Sequence, residues 1–393
     1  METGSLAPVL PLLSVFIFVF GACIGSFLNV VVHRLPRNES LAHPPSSCPR
    51  CGHRIRPWEN IPLVSWLLLR GRCSGCGQPI SIRYPLVELT TALLFLGVWL
   101  RLLSLGVPLV AAIGYFYLAG ALLAVALIDL NHLYVPNRIV YPGIVIAALT
   151  AAAFPLTRFV GRQPVGPRFL LPALVRKLPV KLEGMPHVYA GADALLGVLI
   201  GGGFFWAVMQ IANRLWGSRR YVCAEPAQLT MDANGVRIGD TFATSWEDLF
   251  AHTSGRFQAQ ADCVSVQPAD ENTPAGRRAR PDSSANPVIT VTDNRVWVNG
   301  ESWPLADIAC VEAKVRSWRI PREALGAGDV KLLAMIGGFL GPEAVVYVVM
   351  LAALGGLLSA GALALQGKVV RHKALPFGTF LAAGAALWFF AGR

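Results

Sequence analysis

PLVAAIGYFYLAGALLAVALIDL, the stretch at residues 108–130, contains one charged side chain, Asp129, next to its end. A run of this length predicts a membrane-spanning helix, because crossing the hydrocarbon layer takes about 20 predominantly apolar residues. The rest of the chain has the same character. Of its 393 residues 54% are hydrophobic and 15% are charged, and the mean hydropathy is +0.51. This composition excludes an ordinary soluble protein.

Further apolar runs predict an all-α polytopic membrane protein with about eight transmembrane helices. The first run follows no Lys or Arg and is too long for a signal peptide, so we interpret it as a retained anchor. The eight predicted spans cover residues 8–32, 85–106, 108–130, 138–157, 190–213, 329–342, 343–366 and 375–391.

The basic residues predict the orientation, because cytosolic loops beside spans retain Lys and Arg. Residues 33–84 contain eight Arg and two Glu, which indicates a cytosolic loop. Counting spans from this loop places both chain ends outside and residues 214–328 inside. Six basic residues in 158–189 disagree with this count, so that loop either lies along the lipid headgroups or follows a miscounted span. The net charge of +11 flanks the spans, which favours a lipid bilayer and no nucleic acid as partner.

Two C-x-x-C pairs in residues 33–84 have the spacing of a zinc site with four thiolate ligands. Two disulfides are the rival interpretation, but thiols stay reduced in the cytosol. Four sulfur ligands leave no open position on the metal, so a structural zinc is predicted rather than a zinc hydrolase. The predicted ligands are Cys48, Cys51, Cys73 and Cys76, whereas Cys23, Cys223, Cys263 and Cys310 have no such spacing and are interpreted as inert thiols.

Two aspartates at the ends of apolar runs are candidate catalytic residues, because an ionisable group in a membrane span is costly without a task or partner. Asp129 ends the third predicted span, and Asp329 opens the sixth in the sequence Gly326-Ala-Gly328-Asp329-Val-Lys331. Taken singly, each aspartate also has a non-catalytic interpretation. Asp129 is equally well explained as an interfacial carboxylate that reaches water, and Asp329 as a residue that caps the start of a helix. Both predicted positions lie at the cytosolic ends of their spans, where the carboxylates can meet. Glu88, Asp193 and Glu343 are interpreted as residues at helix ends or as orienting partners.

Two carboxylates that meet cannot both ionise easily, so they share one proton. The charged member then activates water, and the protonated member polarises a carbonyl group. This chemistry is that of an aspartic peptidase. The sequence leaves open which of Asp129 and Asp329 is the base.

Six ordered blocks of the sequence resemble the type IV prepilin peptidase family, whose members are membrane aspartic peptidases of the GxGD type. The resemblance implies cleavage of type IV prepilin and type II secretion pseudopilin leaders at the cytosolic face of the bacterial inner membrane. It also implies a second activity, N-methylation with S-adenosylmethionine, and partners in the secretion or pilus assembly machinery. The blocks are Gly25–Pro36, Cys48–Cys51, Glu59–Leu67, Arg70–Cys76, Arg83–Glu88, and Asp129 with Gly326–Lys331.

Asn137 departs from this family pattern, since family members commonly carry a second aspartate there. The departure makes a catalytic role at that position unexpected and leaves the assignment of Asp129 and Asp329 intact.

A polar insert, residues 214–323, separates the fifth and sixth predicted spans. Residues 229–249 resemble 289–308, and both read as strand, turn, strand and turn, which predicts a small cytosolic β-rich domain of two hairpin units. Residues 267–287 are typical of a disordered linker. The insert is either inert or binds substrate or a machinery partner. The predicted domains are therefore residues 1–32, 33–84, 85–213, 214–323 and 324–393.

Two further classes of protein remain open at this point. A proton-coupled transporter also carries membrane carboxylates and glycine-broken helices, but it has no obvious need for the cysteines. A zinc-bearing membrane adaptor without catalysis explains the cysteines but not two aspartates at one depth.

Overall fold

A computed structural model of the chain describes residues 9–107, 109–154, 186–216, 218–240, 242–246, 249, 256–268, 287–292, 295–298, 301–321, 326–366 and 376–391. The chain divides into two compact units. One comprises residues 1–205 and 327–393, and the other comprises residues 206–326. The predicted loop 158–189 lies outside the described residues except for its last four positions. The predicted linker 267–287 lies outside them except for residues 267, 268 and 287.

The first unit is built of apolar helices. Its short helix α2 lies in the segment that links the first two long helices. The helices are α1 (Leu10–Arg34), α2 (Val64–Leu68), α3 (Arg83–Ser104), α4 (Leu109–His132), α5 (Asn137–Ala153), α6 (Pro186–Val198), α8 (Ala327–Leu340), α9 (Pro342–Leu365) and α10 (Phe377–Ala391), with α7 (Phe205–Trp216) at the boundary of the second unit.

Several of these helices are long and apolar enough to cross a membrane, which confirms a polytopic membrane protein. Among the described residues they are Leu10–Arg37, Arg83–Ser104, Val110–His132, Ala190–Leu215 and Pro342–Leu365. Helices α5 and α10 are shorter apolar helices, with 17 and 15 residues, and α8 has 14. The count of eight spans stays a prediction.

Close glycine contacts join α6 to α8, the helix that carries Asp329. A Cβ atom on Gly197 would lie 2.0 Å from the carbonyl oxygen of Gly337, and one on Gly337 would lie 2.2 Å from that of Gly197. The next turn continues this approach, since a Cβ atom on Gly201 would lie 2.2 Å from the carbonyl oxygen of Leu333. Small residues allow membrane helices to pack backbone to backbone. These glycines therefore fix the position of α8.

The second unit contains a β-rich region, as the sequence predicts. The eight strands among its described residues form one antiparallel sheet in the order β3-β2-β1-β8-β4-β5-β6-β7. Its core includes the fully buried Leu229, Ile238, Phe257 and Ile289. The strands are β1 (Ser218–Met231), β2 (Gly235–Ile238), β3 (Phe242–Ser245), β4 (Phe257–Pro268), β5 (Val288–Val291), β6 (Arg295–Val298), β7 (Glu301–Pro304) and β8 (Ile308–Pro321).

The sheet has internal twofold symmetry. If the first four strands exchange places with the last four (β1 with β5, β2 with β6, and so on), the strand order is the same when read from the opposite edge of the sheet. The registers agree, since Leu229 pairs with Ile238 in one half and Ile289 pairs with Val298 in the other. The last strand of each half, β4 or β8, pairs only with strands of the other half. The two halves have therefore exchanged their last strands.

Candidate active site and metal centre

Asp129 is buried near the end of α4, with 5% of its surface exposed. Its Oδ2 accepts a hydrogen bond of 2.8 Å from the backbone N–H of Thr379. The Thr379 hydroxyl oxygen lies 3.3 Å from the same Oδ2 and 3.0 Å from the carbonyl oxygen of Ala126. Its single proton thus has two acceptors. This geometry rules out the interpretation of Asp129 as a carboxylate that simply reaches into water.

The donor to Asp129 belongs to the first turn of α10. The first backbone N–H groups of a helix have no acceptor within the helix and favour a negative charge nearby. Gly378 makes the approach possible, because a Cβ atom there would lie 3.1 Å from Oδ2 and 3.2 Å from Cγ of Asp129. The sequence analysis missed Thr379 and Gly378. The only signal for them was the start of an apolar helix, 250 residues away from Asp129.

Asp329 lies in the first turn of α8 and is partly buried. Its neighbour Gly328 packs against Val135, and so does Gly378, which contacts Asp129, so the start of α8 lies close to the Asp129 carboxylate. Gly328 permits this packing, because a Cβ atom there would lie 2.8 Å from Cβ of Val135, in the turn after α4. A Cβ atom on Gly378 would also contact Val135, at 3.3 Å. Val135 is therefore the point at which the ends of α4, α8 and α10 converge.

Lys331 does not contact the two aspartates through any hydrogen bond found in the described residues. Its Nζ donates to Oδ1 of Asn137 at 3.0 Å and lies 5.7 Å from the centre of the Tyr141 ring. The lysine thereby ties the start of α8 to the start of α5. Because the partner is Asn137 rather than an aspartate, this link is a hydrogen bond to a neutral amide. Gly326 immediately precedes α8.

The four predicted zinc ligands lie together. All four sulfur atoms are within 4.8 Å of one another, and the Cys48–Cys76 and Cys51–Cys73 pairs are each 4.0 Å apart. Zinc–sulfur bonds of about 2.3 Å in a tetrahedron place the sulfur atoms ~3.8 Å apart. The donor set and its spacing therefore fit a metal ion such as zinc. The Cys48 thiol already favours its thiolate form, since the N–H groups of Cys51 and Arg50 lower its pKa to about 6.

The two C-x-x-C pairs have the same backbone geometry. In each, the N–H of the first cysteine donates to a carbonyl oxygen five residues later, and a glycine with a φ of +70° donates back to that cysteine. The residues are Cys48, Gly52 and His53 in one pair and Cys73, Gly77 and Gln78 in the other. A positive φ favours glycine, which explains why one follows each pair.

A polar bridge connects the two halves of the cysteine cluster. His53 Nε2 lies 3.2 Å from Oε2 of Glu59 and 3.1 Å from the hydroxyl oxygen of Ser74. The N–H of Arg56 donates to the same Oε2 at 2.9 Å, and this bond, with Ser74 and His53, lowers the pKa of Glu59 to about 2. The bridge holds the second cysteine pair against the first.

One contact attaches this cysteine-bearing segment to α3, and a second joins α1 to the start of α3, where the segment ends. Glu88, which is buried in α3, accepts a 2.7 Å hydrogen bond from the N–H of Leu63. Asn29 in α1 donates to the carbonyl oxygen of Tyr84 at 3.2 Å. Glu88 is therefore an orienting partner, as the sequence interpretation has it.

The fold and the site define a class: a polytopic membrane protein with two aspartates at converging helix ends and a four-cysteine cluster. Two family models match the chain. Residues 19–102 match the Bacterial Peptidase A24 N-terminal domain, and residues 302–361 match the Type IV leader peptidase family. The second match includes Asp329 and the first includes all four clustered cysteines.

Curated relatives confirm the resemblance to prepilin peptidases. The chain is similar to the Prepilin leader peptidase/N-methyltransferase of Myxococcus xanthus, with 52% identity over 146 residues, 37% of this chain and 42% of that protein. For the proteins of that name from Aeromonas hydrophila and Dichelobacter nodosus, identity is 42% and 40%, over 32% and 36% of this chain and 50% and 57% of theirs. The chain thus spans about half the length of the curated relatives it matches. No solved structure matches. The apolar helices and these bacterial relatives indicate a bacterial inner-membrane protein.

Proposed function

We propose that the chain is a membrane-embedded aspartic endopeptidase that cleaves the leader peptides of type IV prepilins and type II secretion pseudopilins. The observation that carries the proposal is that Asp129, at the end of α4, and Asp329, at the start of α8, both lie near Val135, where these two helix ends converge. The names of the matched relatives support the choice of substrate. They also disfavour a transporter or a non-catalytic adaptor.

The proposed reaction is hydrolysis of a peptide bond by water held between the two carboxylates. One carboxylate removes a proton from the water, while the other, protonated, donates a hydrogen bond to the scissile carbonyl. The attack of hydroxide forms a tetrahedral intermediate. A proton returned to the leaving amine then allows the C–N bond to break. Burial of Asp129 strengthens each of these electrostatic interactions.

In this proposal a structural zinc ion is bound by Cys48, Cys51, Cys73 and Cys76. It would supply a rigid cross-link between the two C-x-x-C pairs. N-methylation with S-adenosylmethionine is a second proposed activity, supported by the relatives' names alone. We assign no residue to it.

The proposed topology has eight spans, with the aspartates, the cysteine cluster and the β-rich insert on the cytosolic side. The arginines of residues 33–84 support this orientation. The insert is proposed to bind substrate or a component of the secretion or pilus assembly machinery.

Replacement of each aspartate tests the proposed function. Asp129→Asn and Asp329→Asn keep the side-chain shape but remove the shared proton, so cleavage of a prepilin by the purified, detergent-solubilised protein should fall by orders of magnitude. Asp193→Asn is the matched control, since Asp193 is also a buried aspartate in an apolar helix, and it should retain cleavage. Near-normal cleavage by either dyad variant contradicts the proposal.

A further inference from the structure

Asp129 and Asp329 are not hydrogen-bonded alike. Oδ2 of Asp129 has the N–H of Thr379 at 2.8 Å and the hydroxyl of Thr379 at 3.3 Å. Within the part of the chain that the structure describes, the Asp329 carboxylate accepts no hydrogen bond from a protein group. The surroundings of the two carboxylates therefore distinguish one from the other.

Hydrogen-bond donors aimed at a carboxylate favour its ionised form. A backbone N–H cannot turn away or accept a proton, so the 2.8 Å bond from Thr379 permanently favours a negative charge on Asp129. The first turn of α10 adds the positive end of its helix dipole. Asp329 also lies in a helical first turn, that of α8, but none of the described residues donates a comparable hydrogen bond to it. The difference lies in the direct hydrogen bonds.

The Thr379 hydroxyl responds to the charge on Asp129. It has one proton and two acceptors, the carbonyl oxygen of Ala126 and Oδ2 of Asp129. A hydrogen bond to an ionised acceptor is roughly twice as strong as one between neutral groups. The hydroxyl proton therefore points to Asp129 when that residue is ionised and to Ala126 when it is protonated.

We infer that Asp129 is the ionised base of the pair, that Asp329 carries the shared proton, and that Thr379 is the positioning residue that maintains this difference. The inference rests on the proposed peptidase function and deepens it. Neither the family resemblance nor the names of the relatives assign these roles.

The proton movements balance under this assignment. Asp129 takes one proton from water, the water oxygen bonds to the scissile carbon, and the proton of Asp329 moves to the carbonyl oxygen. In the second step Asp129 gives its proton to the leaving nitrogen, the C–N bond breaks, and Asp329 recovers its proton from the intermediate. One water molecule is consumed, and both carboxyl groups return to their starting states.

The neighbouring helices carry few other charged groups. Those whose partners are described form hydrogen bonds with residues other than the two aspartates. Helix α10 contributes none. Lys331 donates to Asn137, and Glu88 accepts from the N–H of Leu63. The titratable and charged side chains on α4, on α8 and on the helices packed against α4 are Tyr115, Tyr117, Asp129 and His132 on α4, Asp329 and Lys331 on α8, Arg138 and Tyr141 on α5, Arg83, Tyr84, Glu88 and Arg101 on α3, and Cys23, His33 and Arg34 on α1.

The test is the pH profile of prepilin cleavage by the full chain with Thr379→Val. Valine keeps the shape and the backbone N–H but removes the hydroxyl, which destabilises the ionised Asp129. The acidic limb of the profile should move up by roughly 0.5 to 1 pH unit, the size of one lost hydrogen bond to a single charge state. The alkaline limb should stay in place, because Asp129 is ionised on both sides of that transition. Thr379→Ser should restore the original profile.

Thr91→Val is the matched control. Thr91 is fully buried in α3 and donates to the carbonyl oxygen of Val87 at 2.7 Å, so its replacement should move neither limb. Metal content and thermal unfolding report whether each variant is folded, and Thr379→Ala replaces the valine variant if that one does not accumulate.

Two outcomes overturn the inference. If the alkaline limb moves up while the acidic limb stays, Asp129 is the protonated member and the roles are reversed. If neither limb moves in a folded variant, the Thr379 hydroxyl does not maintain the difference in protonation between Asp129 and Asp329. Both outcomes leave the proposed function standing as long as the two dyad Asn variants are inactive. Cleavage by either Asn variant overturns the proposed function itself.

Discussion

Gly378→Ala is expected to slow cleavage without unfolding the protein. The added Cβ would lie 3.1 Å from Oδ2 and 3.2 Å from Cγ of Asp129, and 3.3 Å from Cγ2 of Val135. Contacts this short are relieved by movements of a few tenths of an ångström. The Asp129 carboxylate is the group nearest to the new methyl. It should therefore shift and lengthen its 2.8 Å hydrogen bond with the N–H of Thr379.

This shift of the Asp129 carboxylate is expected to lower the rate of cleavage. Misplacing a reacting group by 1 Å can cost about 100-fold, so a shift of a few tenths of an ångström should lower kcat by roughly tenfold, or ~1.4 kcal/mol. Stability should change little. Alanine in place of glycine in a helix gains up to about 1 kcal/mol, which offsets the strain of the close contact.

Steady-state cleavage of a prepilin peptide, with kcat and KM measured separately, checks this expectation. The fall should be in kcat, because the change alters the reacting group rather than a surface remote from it. Gly356→Ala is the control, since Gly356 lies within α9 and has no other group within 4 Å of its added Cβ. Full kcat in Gly378→Ala would refute the reasoning, and so would a loss that merely follows the loss of folded protein.

Three further predictions concern the metal, the packing and the topology. Cys73→Ser should reduce bound zinc from about one equivalent to a small fraction, measured by elemental mass spectrometry, because a tetrahedral site loses one of its four ligands; undiminished zinc contradicts the assignment. Gly197→Ala should destabilise the folded state by about 2 kcal/mol in thermal unfolding, since its Cβ would lie 2.0 Å from the carbonyl oxygen of Gly337; an unchanged midpoint argues against that close packing. Reporters fused at residues 60 and 260 should both read as cytosolic, and an external signal at either position would force a different topology.

The candidate residues for catalysis and metal binding stand out in the sequence itself. A carboxylate at the end of an apolar run is costly, and four cysteines in two close pairs have few alternative uses. Asp129, Asp329 and the four clustered cysteines were singled out on these grounds. The structure brings the four sulfur atoms together and makes the helix ends that carry the two aspartates converge at Val135. The apolar runs likewise predicted the long helices, because length and hydropathy identify a segment that is able to cross a membrane.

The residues that orient this chemistry were not predictable. Thr379 is an ordinary residue at a helix start, and its contact with Asp129 depends on how α4 and α10 pack. Gly378 and Gly197 matter because of what lies opposite them, and a single sequence does not contain that information. The hairpins of the insert were recognisable from alternation and turn residues, but the pairing of β4 and β8 with the opposite halves joins residues far apart in the chain.

The exchanged strands also determine how the insert is connected to the rest of the chain. Its first strand and its last strand are direct neighbours, with Ser218 paired to Pro321. Paired residues of antiparallel strands lie about 5 Å apart. The two ends of this insert of more than a hundred residues are therefore about as close together as the two ends of a tight turn. Such a domain can be acquired or lost between two successive helices during evolution without changing their spacing. The helical framework can therefore vary its inserted domain independently of the acidic pair.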